Sequence, residues 1–211
     1  MTNPGPSPFR STAEARRAFI TTQAVKVFAR GGYHATPVAD VAEAAGISPA
    51  YVFRLFDGKL GLFLAALEHC HERILTTVGA VADAMPGEDP EAVLAAMGDA
   101  YAQLISDRDL LMLQVHALSA VDVPEIAATT RRGLERMISL LQDRAGASDQ
   151  AAQQFVAYGQ LCHLIVATGL TDAAGDGTPA PRWARVLTDG MAHPQAVAEP
   201  DDVEADAVDG T

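Results

Sequence analysis

The stretch that decides the fold is residues 36–59, TPVADVAEAAGISPAYVFRLFDGK. Thr36 precedes a proline and then an apolar face of helical period, an arrangement that predicts an N-capped helix. Gly46 supplies a turn residue, and Ser48 followed by proline repeats the start signal for a second short helix. The segment therefore predicts two short helices joined by a tight turn.

The second helix has one face for packing and one for contact. Its spacing turns three side chains inward, Val52, Leu55 and Phe56, and leaves three pointing out, Ala50, Tyr51 and Arg54. Helices this short bury little on their own, so we expect the second one to be presented to a partner. The pattern is that of a helix-turn-helix, whose second helix fits the major groove of DNA.

These residues resemble the DNA-binding domain of the tetracycline-repressor (TetR) family of bacterial transcriptional regulators. The shared pattern is a Thr-led helix, an Ala-Gly-Ile-Ser turn, a recognition helix with an aromatic residue and a Phe-x-x-Lys ending. The residues that carry this pattern here are, in chain order, Thr36, Ala45, Gly46, Ile47, Ser48, Phe53, Phe56 and Lys59. The match begins near Ser11 and covers roughly the first quarter of the chain. It implies a homodimeric regulator, by default a repressor, that a small apolar effector releases from a palindromic double-stranded DNA operator.

The resemblance also implies a set of DNA-binding residues: Thr36, Ser48, Ala50, Tyr51, Phe53, Arg54 and Lys59. Phe53 departs from the family pattern, because many members carry a Tyr there whose hydroxyl contacts phosphate. Tyr51 either replaces that contact or reads a base edge, and Arg54 suits guanine or phosphate. Asp57 is expected to cap the next helix and Lys59 to meet a phosphate at its first turn.

The charge of the chain is divided unevenly. The net charge is −12 overall, but residues 1–60 hold seven Lys/Arg against four acids, leaving a net of −15 on residues 61–211. This asymmetry favours a DNA-facing head on a body that avoids DNA.

The sequence divides into an arm, a head, a body and a tail. Residues 1–10 predict a flexible arm, whose Arg10 either touches DNA or belongs to a disordered tail. Residues 11–58 predict the helix-turn-helix domain, with a capping box from Ser11 to Glu14 and an apolar stripe that includes Phe19. Residues 59–191 predict a helical ligand-binding and dimerisation domain, and residues 192–211 a disordered acidic tail.

The first helix carries an end signal and two arginines whose role has two alternatives. Paired glycines at 31–32 predict the end of the first helix. Arg16 and Arg17, near its start, either contact phosphate or form a solvated face. A long fourth helix then joins head to body along an apolar stripe.

The fourth helix contains a sequence that looks like a metal site, Glu68-His69-Cys70-His71-Glu72. Successive helical residues are about 100° apart, so only Glu68, His71 and Glu72 share a face. A solvated face with Cys70 partly buried is favoured over a metal site or a redox or ligand-lining role. We expect no metal and no cofactor.

The rest of the chain predicts five more helices, for an all-α fold of about nine, with Asp122 capping the seventh. The eighth is apolar on every side from Leu161 to Leu170, apart from His163, and the ninth has a stripe that runs from Trp183 to Met191. Two copies of this pair predict a four-helix dimer interface that includes Phe155, Leu161, Ile165, Trp183 and Leu187. The uncharged run 150–171 is long enough to span a bilayer, but its glutamines and His163 favour a buried helix. With two cysteines and no signal-like start, a cytoplasmic location is expected.

Catalysis is disfavoured, because the sequence has no Walker loop, GxGxxG, HExxH, CxxC pair or G-x-S-x-G elbow. Isolated polar groups on apolar helices instead suit a small organic ligand. The predicted pocket residues are Phe63, Leu67, Tyr101, Leu104, Met112, His116, Tyr158 and His163. The main rival is a DNA-bound adaptor whose body binds a protein and has no enclosed cavity.

Overall fold

The computed structural model describes residues 8–170 and 181–188, with side chains from residue 13 onward. Every element in these ranges is an α-helix: α1 Pro8–Ala35, α2 Val38–Ala44, α3 Pro49–Phe56, α4 Gly58–Ala84, α5 Pro90–Leu104, α6 Arg108–Leu118, α7 Pro124–Ala145, α8 Asp149–Ala167 and α9 Arg182–Thr188. The expected all-α fold, with a helix-turn-helix head and a helical body, is confirmed. No described helix combines the length and hydropathy needed to cross a membrane.

The first helix differs from expectation at both ends. It begins at Pro8, so the capping box at Ser11 is wrong and the last residues of the expected arm are helical. Near its end, Gly32 leaves helical geometry at φ 67° and kinks the chain before a last turn to Ala35. Phe19, expected in the apolar stripe, is 52% exposed.

The predicted capping residue is found at one of the three helices in this part of the chain and is absent at the other two. Ser48 caps α3 as expected, its hydroxyl accepting from the Tyr51 amide at 3.3 Å. Thr36 does not cap α2, because Pro37 occupies the N-cap position and Thr36 is buried. Asp57 precedes α4 but makes no capping bond with its side chain, and its left-handed backbone (φ 58°) instead ends α3.

Two apolar cores share the long helix α4. The first joins the head to the body, because Phe28 and Val52 of the head pack in one cluster with Leu113 of α6 and Ile126 of α7. The second lies in the body, between the far half of α4 and helices α5, α6, α7 and α8. The head is therefore continuous with the body through shared side-chain packing.

Ion pairs connect the exposed edges of α4 and α7. Glu68 pairs with Arg132 at 3.2 Å, and Glu72 with Arg136 at 2.7 Å. Between these acids, Cys70 is fully buried, and burial raises the pKa of its thiol to about 12. Among the described residues, no group of His, Cys, Asp and Glu is arranged to hold a metal ion.

For the later helices, one expectation is wrong and another concerns residues outside the described part of the chain. Asp122 does not cap α7, whose N-cap residue is Val123; it pairs instead with His34 of the head at 3.3 Å. The expected stripe of α9 reached Met191, which lies outside the described residues, as does the expected acidic tail.

Candidate functional site

The outer face of α3 is exposed as the sequence predicts. Ala50, Phe53 and Arg54 are exposed and Tyr51 is half-buried. Phe53 is 53% exposed, which is unusual for a large aromatic side chain on a helix that also buries Val52 and Phe56. The helix thus presents a mixed aromatic and basic face to solvent.

Two arginines flank the ring of Tyr51. The Arg54 guanidinium lies 5.0 Å from the ring centroid, and that of Arg16, from α1, lies 6.0 Å away. Cation–π attraction at these distances holds positive charge close to the aromatic face. Helices α1 and α3 together therefore place positive charge on the same surface.

Arg17 has a role that the sequence did not reveal. Its Nη1 donates to the carbonyl oxygen of Leu55 at 2.5 Å, and its guanidinium lies 4.3 Å from the ring of Phe56. This carbonyl is at the end of α3, where the helix leaves acceptors unpaired. Arg17 thus fixes α3 against α1, a contact that sequence spacing could not distinguish from a solvated or phosphate-binding arginine.

Lys59 and Thr36 both lie against the last part of α1. The Lys59 ammonium donates to the carbonyl oxygen of His34 at 3.1 Å and lies 5.0 Å from the ring of Tyr33. Thr36 is buried, with Gly31 close to its hydroxyl. In this arrangement Thr36 supports the packing of α1 on α2, and Lys59 ties α4 to the end of α1.

The body contains a cavity of about 210 Å³ between α4, α5, α6, α7 and α8. Three of the predicted pocket residues line it, namely Leu67, Tyr101 and His163. Other lining side chains are His71, Gln114, Leu118, Leu134, Met137, Phe155 and Gln160. Leu118 and Leu134 are also partly exposed, which places the opening of the cavity between α6 and α7.

Five predicted pocket residues lie elsewhere. Phe63 packs edge-on against Phe28 with ring centroids 5.0 Å apart, in the core of the head. Leu104 and Met112 pack against the apolar cores, and His116 lies against Gly32. Tyr158 is 51% exposed and accepts from Gln154. Helical period placed these residues on apolar helices, but only packing decides which part of each helix meets the cavity.

Tyr101 and His163 form a buried polar pair in the cavity wall. The tyrosine hydroxyl lies 2.6 Å from His163 Nε2, and Nδ1 of the same ring has no hydrogen-bond partner among the described residues. Burial raises the pKa of Tyr101 and lowers that of His163 to about 4. Both groups are therefore uncharged at neutral pH.

The predicted dimer residues divide between the interior and the surface. Ile165 is only 2% exposed and packs inside the chain, and Phe155 lines the cavity. Leu161 and Leu187 are half-buried, while Trp183 is 60% exposed. The apolar surface of α8 and α9 that remains exposed also includes Tyr158, Leu164 and Val186.

Comparison with known proteins gives matches at the level of the head and of the fold. Residues 20–66 match the family described as "Bacterial regulatory proteins, tetR family". The HTH-type transcriptional activator FasR of Mycolicibacterium smegmatis is 32% identical over 69 residues, covering 33% of this chain. The chain matches only 32% of the length of that relative.

Solved structures match over most of the chain. The multidrug binding protein EbrR, complexed with imidazole, aligns with a TM-score of 0.58 and 22% identity over 89% of this chain and 96% of its own. FadR of Bacillus subtilis, in complex with stearoyl-CoA, aligns with a TM-score of 0.59 and 16% identity over 82% and 98%. At these identities the likeness is one of fold.

The head and fold together define a helix-turn-helix protein with a helical body that contains a cavity. Because residues 20–66 match the tetR family and the whole architecture matches the TetR fold, the resemblance seen in the sequence is confirmed. The helix-turn-helix segment, residues 20–66, belongs to the tetR family of bacterial regulatory proteins.

Proposed function

We propose that this chain is a homodimeric transcriptional regulator that binds an operator through α3 and is released from it by a small organic molecule. The observation that supports this most is the outer face of α3, where Tyr51, Phe53 and Arg54 are accessible and Arg17 holds the helix end in place. An exposed, positively charged helix of this size suits the major groove.

Dimerisation through α8 and α9 is supported by their exposed apolar side chains. Leu164, Trp183 and Val186 are each at least half exposed in the single chain, and a second copy would cover them. In such a dimer we expect the two α3 helices to sit in successive major grooves, about 34 Å apart.

Two helices offer a route from the cavity to the head. Helix α4 lines the cavity with Leu67 and His71 and reaches the head at Lys59. Helix α6 lines it with Gln114 and Leu118, and its His116 contacts Gly32 at the kink of α1. A ligand that shifts either helix would move the head, and a coupling of about 1–3 kcal/mol is typical of such linkage.

The similar proteins provide information on the type of effector and on whether the regulator represses or activates transcription. One holds imidazole and another stearoyl-CoA, so this fold accepts ligands of unlike chemistry. FasR, which is 32% identical to this chain over 69 residues, is an activator. We propose repression for this chain, and a reporter gene under its operator would show it by higher expression when the regulator is deleted.

The test of DNA binding is fluorescence anisotropy on the upstream intergenic DNA and on a scrambled duplex over a salt series. We expect tighter binding to the natural duplex and a steep fall with salt. Tyr51→Ala and Arg54→Ala should each weaken specific binding about 5- to 100-fold, in line with about 1–3 kcal/mol per base contact. Arg131→Ala, on the exposed face of α7, is the matched control. Equal binding by all variants would refute the assignment.

A DNA-bound adaptor is the second candidate. The observation that favours it is the group of exposed apolar side chains at and near the mouth of the cavity, Leu118, Val121 and Leu134. A protein partner would cover this surface, whereas a small effector would leave it open. Hydrogen exchange with and without small molecules that release DNA separates the two, because an effector protects the cavity walls on α4 and α8.

A further inference from the structure

The wall of the cavity carries polar groups but no fixed charge. None of the described residues that line it is Asp, Glu, Lys or Arg. Its two imidazoles, His71 and His163, are uncharged at neutral pH because burial lowers the pKa of each to about 4. An ion entering this space would lose its hydration without meeting a countercharge, which is strongly unfavourable.

The charged side chains of a neighbouring groove are paired with one another. A separate polar groove of about 540 Å³ lies between α1, α4 and α7, and His71 borders both spaces. In that groove Glu68 and Glu72 are paired with Arg132 and Arg136. These charges neutralise one another outside the cavity.

Most polar groups of the cavity wall already have partners. Thr130 donates to the Ile126 carbonyl at 2.9 Å, and the Gln114 amide donates to the Leu110 carbonyl at 3.3 Å. His163 differs, because it is 5% exposed and its Nδ1 has no partner among the described residues. A buried polar nitrogen without a hydrogen bond is a rare and costly feature.

The contact with Tyr101 indicates which kind of partner Nδ1 requires. A phenol hydroxyl is a better donor than an imidazole N–H, and an imidazole nitrogen is a better acceptor than a phenol oxygen. In the 2.6 Å contact the hydroxyl of Tyr101 therefore donates to Nε2. A neutral imidazole then carries its proton on Nδ1, which is left as a donor.

We propose that this cavity binds an uncharged, mostly apolar molecule whose hydrogen-bond acceptor, such as a carbonyl oxygen, receives the Nδ1 proton of His163. The inference rests on the proposed regulatory function and specifies the chemistry of its effector. The volume, about 210 Å³, is below the ~300–1,000 Å³ usual for drug-sized ligands, so the molecule is small.

A series of probes with one ring system tests the charge and the acceptor separately. The probes are methyl β-naphthoate (neutral, with a carbonyl), β-naphthoate (anion), β-naphthylmethylammonium (cation) and β-ethylnaphthalene (neutral, without an acceptor). Calorimetry on the full chain should show the ester binding at least about tenfold more tightly than either ion. It should also bind about 3- to 10-fold more tightly than ethylnaphthalene, the gain of one hydrogen bond.

Variants and spectroscopy locate the acceptor contact. His163→Phe should keep ethylnaphthalene binding and remove the advantage of the ester, whereas His69→Phe, outside the cavity, should change neither. Nitrogen-15 spectra of the wild-type imidazole provide a readout that does not depend on the variant folding. They should show His163 protonated at Nδ1, with that resonance shifting when the ester binds.

Three results would overturn the proposal. One is an ion that binds as tightly as the ester, another is a His163 imidazole protonated at Nε2, and the third is no binding of either neutral probe at 1 mM, well above the roughly micromolar range of ordinary effectors. Fluorescence anisotropy on operator DNA tests the proposed regulatory function separately from this proposal about the effector. A chain that binds its operator and is released by a charged ligand would still be a regulator.

Discussion

Arg17 is exposed along most of its length, yet its guanidinium contacts both a carbonyl and a ring at the end of α3. The carbonyl of Leu55 lies where the helix has no further amide to offer. A charged donor there completes the hydrogen bonding of the recognition helix and fixes its angle to α1. Such contacts explain how a short helix can be held rigidly at a surface.

Replacing Arg17 by Ala should lower both stability and DNA affinity. We expect the free energy of unfolding in urea to fall by about 1 kcal/mol, since the lost bond is charge-assisted but partly solvated. Arg30→Ala, on an exposed position of the same helix, should have a smaller effect. Equal losses for the two variants would argue against a positioning role for Arg17.

The two imidazoles of the cavity wall make stability depend on pH. In the folded chain the pKa of His71 and of His163 is lowered to about 4, from 6.5. As the pH falls below 6.5, the unfolded chain gains protons that the folded chain does not, so stability is lost on acidification. From pH 7.5 to pH 5 the loss should be at most about 2 kcal/mol per histidine in urea unfolding. His163→Phe should flatten this dependence, and an unchanged profile would contradict the assignment.

At the scale of elements, the kink that ends the regular part of α1 lies against His116 of α6. Gly32 has φ 67°, and a Cβ placed on it would lie 2.8 Å from His116 Nδ1. A side chain here would face both backbone strain and a clash. The kink is therefore a point where the head and a wall helix of the cavity constrain each other.

Gly32→Ala should destabilise the chain more than Gly46→Ala does. Both residues have a positive φ, but Gly46 has open space around its Cβ position. We expect Gly46→Ala to cost about 1 kcal/mol and Gly32→Ala about 2–3 kcal/mol in urea unfolding. Adding His116→Ala should recover part of the difference. Additive losses in that double-mutant cycle would show that the contact does not constrain the kink.

At the scale of the whole molecule, one of the exposed apolar surfaces lies on α8 and α9. Trp183→Glu should place a charge in the proposed dimer interface, giving a monomer by light scattering and weaker operator binding. Val121→Glu, at a similarly exposed apolar position on the body, is the control and should leave the assembly unchanged. A wild-type chain that is monomeric at micromolar concentration would remove the basis for this prediction.

The sequence predicted the local structure well because short-range signals specify it. Ser48 and its following proline start α3, and the spacing of Val52 and Phe56 sets which face is buried. The partners of polar side chains and several of the helix caps were harder to predict from the sequence. The sequence did not show that Arg17 would bind the carbonyl of Leu55, because that contact joins residues 38 positions apart along the chain.

The sequence by itself determined the all-α class, the helix-turn-helix and the outward face of α3, since these follow from helical period, caps and turns. Tertiary structure alone decided the cavity, because its walls come from five helices whose rotations relative to one another no local pattern encodes. It moved Phe63 and His116 out of the expected pocket and brought His71 and Met137 into it. It also brought Tyr101 within hydrogen-bonding distance of His163, although 62 residues separate them along the chain.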